Sequence, residues 1–202
     1  RDSERPLIKI DGKLPGESRI IYDKGGWSFY MLHRLQGPER SLAAIREYIT
    51  TFRDSRDHAA LEDYLAIQRR HAVDTTAFDR YAHQWFQEVV IPQYLIRSTS
   101  LEKTATGWQV RATIQNTGTG RMPVEVAVVR GERSPATGSK AERWQDARTT
   151  IELGAGEETT VTLRTVFAPE RLLMDPDVVV MMLERQKAET TLKVEAAKPV
   201  AM

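Results

Sequence analysis

The chain contains no cysteine. That excludes disulfide staples, thiolate nucleophiles and thiolate metal ligands, and leaves the compartment open. Long hydrophobic runs are missing too. The longest, Val178 to Leu183, is strand-length, far short of the ~20 residues of a helical membrane span. Neither sign of charge is in excess: 29 Lys+Arg stand against 28 Asp+Glu, a net +1. Nothing therefore steers the chain toward nucleic acid or an anionic membrane surface. No signal segment is visible, and the opening Arg1-Asp2-Ser3-Glu4-Arg5-Pro6 reads as an internal starting point of a longer protein. What remains is a balanced composition of 41% hydrophobic and 28% charged residues over 202 positions. It suffices for one large or two small domains with real cores.

The pattern changes character near Pro92. Before it, apolar residues recur at helical spacing; after it they alternate with polar ones between Gly and Pro punctuation. Four helices are predicted, over about 19–36, 38–53, 58–71 and 76–88. Gly37-Pro38 stops the first, and Asp74-Thr75-Thr76 caps the last. The second should bury Leu42, Ile45, Ile49 and Phe52. Gly25-Gly26 lies inside the first helix, where glycine costs roughly 1 kcal/mol against alanine, so close packing or backbone access is expected there. Short strands follow, at Tyr94–Lys103, Trp108–Asn116, Val124–Val129, Trp144–Leu153, Thr159–Val166 and Val178–Glu184. The expected class is α+β: a helical part over 1–91, an antiparallel immunoglobulin-like β-sandwich over 92–195, and a disordered tail over 196–202.

Candidate functional residues are few. Tyr22 stands at a helix start, where a tyrosine can pack, cap or present its hydroxyl. Asp23 and Lys24 beside it suit a local ion pair or the helix start. His33, His58, His71 and His83 lack metal-ligand spacing, and His58 with Glu62 is a lone pair. Trp108 and Trp144 suit either the sandwich core or a carbohydrate- or peptide-stacking face. Arg130, Arg133, Lys140, Arg143 and Arg148, offset by Glu132, Glu142 and Asp146, read as a solvated face.

One stretch carries a resemblance. Tyr22-Asp23-Lys24-Gly25, followed by an apolar helix ending in Arg34-Leu35-Gln36-Gly37, resembles the Tyr-x-Lys-Gly signature of zinc aminopeptidases of the membrane-alanyl-aminopeptidase type. Phe78-Asp79 with Gln84-Trp85-Phe86, the Pro92-Gln93-Tyr94 step and Asp175-Pro176-Asp177 resemble later elements of that family in the same order. The resemblance implies that 17–91 is the C-terminal lobe of a thermolysin-like catalytic domain and that Tyr22 stabilises an oxyanion. It also implies a peptide substrate, and zinc held by ligands upstream of Arg1, so that the isolated chain is inactive. Val90-Ile91-Pro92 in place of a Gly-x-Pro resembles a bacterial branch fused to an ABC-type membrane permease, with membrane attachment through that part. The alternative is a non-catalytic binding or structural module, a degenerate peptidase domain of a transporter-associated protein. The exposed face left by the missing half implies self-association or partial disorder near residues 1–20.

Overall fold

A computed structural model describes residues 4–56, 58–138 and 142–194. The chain divides into two compact units, Arg1–Val90 and Ile91–Met202. It is α+β: helices fill the first unit, and two antiparallel sheets fill the second. Among the described residues no helix is long and apolar enough to cross a membrane. The predicted tail over 196–202 lies outside the described residues.

In the first unit, a single turn at Glu17–Arg19 runs into a π-helical turn, Ile20–Gly25, and then into helix α1, Gly26–Gln36. Gly37, at φ +83°, ends α1 in a conformation that suits glycine, and Pro38 opens helix α2, Pro38–Phe52. Helix α3 spans Leu61–Arg70. The Asp63 carboxylate accepts from the Ala60 amide at 2.9 Å and satisfies one orphan donor at its start. Asp74 does the same for helix α4, Thr75–Ala82, accepting from the Ala77 amide at 2.9 Å. A second π-helical turn, His83–Gln87, carries the chain out of α4.

The helical core is aromatic. Phe78, Tyr81, Trp85 and Phe86 are buried with Met31, Leu32 and Ile67. The Tyr81 hydroxyl donates to the Ser28 carbonyl at 2.6 Å, and burial holds its pKa well above the ordinary value. The expected buried face of α2 is covered only in part: Ile45 and Phe52 are half-buried, but its other two residues are not. Leu42 and Ile49 are 44% and 57% exposed, whereas Ser41 and Ala44 are buried. Small side chains let the neighbouring helices approach closely. Tyr48 turns inward instead, edge-on to Tyr64 at 5.4 Å. The glycine pair has no steric cause either, because a Cβ at Gly25 or Gly26 would meet nothing within 4 Å.

The second unit has seven strands: β1 Tyr94–Thr104, β2 Gly107–Asn116, β3 Met122–Arg130, β4 Gln145–Leu153, β5 Glu158–Thr165, β6 Arg171–Met174 and β7 Glu189–Thr191. They pair in the orders β1-β2-β5 and β4-β3-β6-β7. Alternation sets the faces. Val110, Ala112 and Ile114 register with Leu163, Val161 and Thr159 on one side of the first sheet. On its other side Thr113 and Thr160 share a hydrogen bond at 3.1 Å, and Arg164 donates to Gln109. In the second sheet Val124, Val126 and Val128 are buried on one face of β3, and Ala127 and Val129 on the other. β3 is thus covered on both sides, which suits its near-continuous apolar sequence.

Two buried polar side chains fix the loops. Asn116 is fully buried. Its carboxamide accepts from the amides of Gln93 and Gly118 and donates to the carbonyls of Gly120 and Leu153. The turn runs so close to the incoming chain that a Cβ at Gly118 would stand 2.4 Å from the Ile91 carbonyl oxygen. Asp175 is the second. It adopts φ +50°, and its carboxylate accepts from the amides of Val179 at 2.9 Å and Val180 at 2.8 Å and from Arg185 Nη1 at 2.8 Å.

That cage overturns the strand predicted over Val178–Glu184. The amides of Val179 and Val180 are taken by the carboxylate, and Val178 sits at φ +55°, so the segment turns instead of joining a ladder. The last strands are β6 and β7, too short and polar-flanked for periodicity to show. Replacing the carboxylate strands two buried amides and a guanidinium. Asp175→Ala should therefore destabilise the chain by about 3 kcal/mol, and Asp175→Asn by less, in denaturant titrations. A loss below ~0.5 kcal/mol for Asp175→Ala would show that the cage does not hold the fold.

Candidate functional site

Local packing explains the stretch around Tyr22 first. Lys24 points inward and is buried; its ammonium donates to the Glu88 carbonyl at 3.3 Å, just past the second π-helical turn. Burial lowers its pKa, with Glu4 opposing weakly. The Ser28 hydroxyl donates to the Lys24 carbonyl at 2.8 Å, supplementing the hydrogen bonding of the widened turn. With Lys24 inside, Tyr22 and Asp23 point out. Tyr22 is 80% exposed. Together with Asp23, Gly26, Trp27 and Tyr30 it lines an open groove of about 410 Å³. Trp27 and Tyr30 stand edge to face, their ring centroids 6.0 Å apart and their planes 70° apart. Asp23 lies 3.5 Å from Arg19 one turn back, both side chains well exposed.

The histidines do not gather. His71 meets Glu47 at 2.6 Å and His83 meets Glu88 at 3.3 Å, each a local surface pair. Among the described residues no group of three His, Cys, Asp or Glu side chains could hold a metal ion.

A second groove lies on the β unit. The chain leaving β3 turns at Gly131 and returns to β4 through a parallel bridge between Glu132 and Arg143. This loop and β6 enclose an open groove of about 630 Å³, lined by Trp144 and Leu173, the carboxylates of Glu132, Glu142 and Glu170, and Arg133 and Arg171. The Arg133 guanidinium lies over the Trp144 ring, 5.0 Å from its centroid. Trp108 is elsewhere, on β2, with Lys103 Nζ 6.0 Å from its ring. The two tryptophans therefore do not build one stacking face.

Three of the arginines expected on a solvated face are paired with carboxylates, and Arg143 is exposed. Arg130 pairs with Glu142 and reaches Glu170 at 3.9 Å. Arg133 pairs with Asp177 at 2.6 Å. Arg148 holds Asp146, Glu125 at 2.7 Å and Asp177 at 2.8 Å. Lys140 lies outside the described residues. Periodicity missed Asp177 and Glu125, which reach this cluster only through sheet pairing. The visible signal was the Asp175-Pro176-Asp177 turn that delivers Asp177.

With this geometry in view, comparison with known proteins is informative mainly in what it removes. No family model matches the chain, and no curated protein matches it. Solved structures that match include three sugar hydrolases. One is DesR, a β-glucosidase from Streptomyces venezuelae in complex with D-glucose, at 15% identity and TM-score 0.32 over 57% of this chain and 17% of that one. A β-D-glucoside glucohydrolase from Trichoderma reesei follows at 15% and 0.32, over 51% and 19%. A GH3 β-glucosidase from Bifidobacterium adolescentis gives 16% and 0.31, over 61% and 22%. None is a peptidase. The zinc aminopeptidase reading is therefore corrected, and its peptide substrate and permease-fused parent go with it. The chain spans only about a fifth of the length of these structures, and a likeness this distant transfers no activity to it.

The electrostatics of the second groove can be tested. Arg148 foremost, and Arg133 after it, hold the Asp177 carboxyl below its ordinary value, against the opposing effect of burial. A depressed carboxyl contributes stability that is complete above its unfolded pKa of about 3.9 and lost as pH falls through the folded value. Acid unfolding below roughly pH 4 should accordingly be less steep in Asp177→Asn than in the wild type. Superimposable acid limbs would show that the carboxylate is not coupled to the fold.

Proposed function

We propose that the chain is a recognition region and that its β unit binds a sugar ring in the Trp144 groove. The observation that carries this is a half-buried indole flanked by charged groups of both signs, several of them already paired. Glu142 and Glu170 share Arg130, and Arg133 is held by Asp177. Such a groove favours a neutral ligand, since carboxylates and guanidinium groups are mixed along it and several are already paired. Sugars are neutral, present a flat C–H face, and carry hydroxyls that both donate and accept. The indole suits the face, the carboxylates accept, and the Arg171 guanidinium donates. Arg133 occupies the ring face in the free protein, so a ligand exchanges one planar partner of the indole for another.

The strand orders also support an immunoglobulin-like sandwich. β1-β2-β5 against β4-β3-β6-β7 is the seven-stranded arrangement with its fourth strand moved to the second sheet. In that scaffold the groove lies between β6 and the β3–β4 connection, and the connection is a place where loops vary without disturbing the core.

Glucose, galactose, mannose and N-acetylglucosamine are suitable probes, followed by NMR of the indole resonances in the full chain. At least one should bind with a Kd of about 1–10 mM, the weak range expected for one ring in an open groove. Trp144→Ala should abolish the shift, while Arg133→Ala, by uncovering the ring, should tighten binding about threefold. No saturable shift with any of the four, or one that persists in Trp144→Ala, would overturn the reading.

A further inference from the structure

We propose a second, separate binding site on the helical unit: the groove of Tyr22, Trp27 and Tyr30 takes a trimethylammonium group carried by a small molecule. Three observations converge on that chemistry. The first is the aromatic lining. Trp27 and Tyr30 form a corner, with planes 70° apart and centroids 6.0 Å apart, so a rounded group set into it touches two ring systems at once. Tyr22 supplies a third ring on the same groove. Ring faces carry negative potential and attract cations, most strongly those with little hydration to lose.

The second is charge. Among the described residues that line it, Asp23 alone is acidic. Its contact with Arg19, at 3.5 Å between side chains 88% and 64% exposed, is a weak surface pair. The carboxylate thus remains able to face an incoming cation. The third is space. Gly26 lines the groove without a side chain, and a Cβ there would meet nothing within 4 Å, so the floor is open. The neighbouring cation, Lys24, is turned away into the core and does not compete.

A plain apolar patch would share the rings and the space, so the ligand must be chosen to separate charge from shape. Choline and 3,3-dimethylbutan-1-ol are nearly isosteric and differ in the charged nitrogen. In the full chain, choline should shift the Trp27 indole resonance saturably, and the neutral alcohol should bind at least about fivefold more weakly. Asp23→Asn, at an exposed position that should not disturb folding, should weaken choline about threefold; Arg19→Ala should strengthen it. Trp27→Ala should remove the site. Equal binding of choline and the alcohol would overturn the proposal in favour of a simple apolar contact. Absence of any saturable shift at Trp27 would overturn it outright. The chain should not sediment with phosphatidylcholine vesicles, and one that does so while ignoring free choline would also overturn it.

Discussion

The β unit depends on one buried carboxylate. Asp175 sits in a left-handed conformation that few residues other than glycine tolerate, and it is held there because its oxygens satisfy two amides and a guanidinium at once. Pro176 and Asp177 follow directly, so the cage also sets where Asp177 stands. Asp177 in turn anchors Arg148 on β4 and Arg133 in the loop between β3 and β4. Arg133 lies on Trp144. A chain of contacts therefore runs from a buried turn to the surface groove, each member positioned by the one before it. Arg148 is central to this relay. Its three carboxylate partners raise its pKa, Asp177 most of all, so it stays charged at any pH the fold survives.

Much of the architecture was legible in the sequence. Helices were visible where apolar spacing and stop signals agreed, as at Gly37-Pro38, and strands where alternation was clean, as in Trp108–Asn116 and Thr159–Val166. Failures occurred where a side chain intercepted the backbone. Val178–Glu184 has the composition of a strand, but a carboxylate four residues upstream of its second valine claims the amides of Val179 and Val180. No window statistic contains that bond. The buried face of α2 failed in part, for another reason. Spacing marks Leu42 and Ile49, yet helix approach selected the small pair Ser41 and Ala44, and the exposed apolar residues were left facing out.

The Tyr22 motif shows how a local likeness can have a local cause. Lys24 faces inward, where its ammonium donates to a carbonyl within the helical unit, and Tyr22 two residues earlier faces out. Packing alone accounts for the inward lysine and the outward phenol. Tyr22, Asp23 and Trp27 do share one groove, but the sequence singles out that stretch through a chemistry the comparisons do not support. Trp144 shows the reverse. The sequence offers it and Trp108 equally as stacking residues, and the sheets separate the two.

The π-helical turn at Ile20–Gly25 gives the Tyr22 groove an unusual dependence on chain length. Such a turn holds one residue more than an α-helix would over the same rise. Deleting a single residue within it would let the backbone relax into regular helix while α1, with its buried Ser28, Met31 and Leu32, kept its place. Everything before the deletion would then rotate by about 100° relative to Trp27 and Tyr30. Tyr22 and Asp23 would swing off the groove while the helices stayed folded. The geometry of this aromatic corner is thus indexed by residue count, and homologues could gain or lose it by one codon.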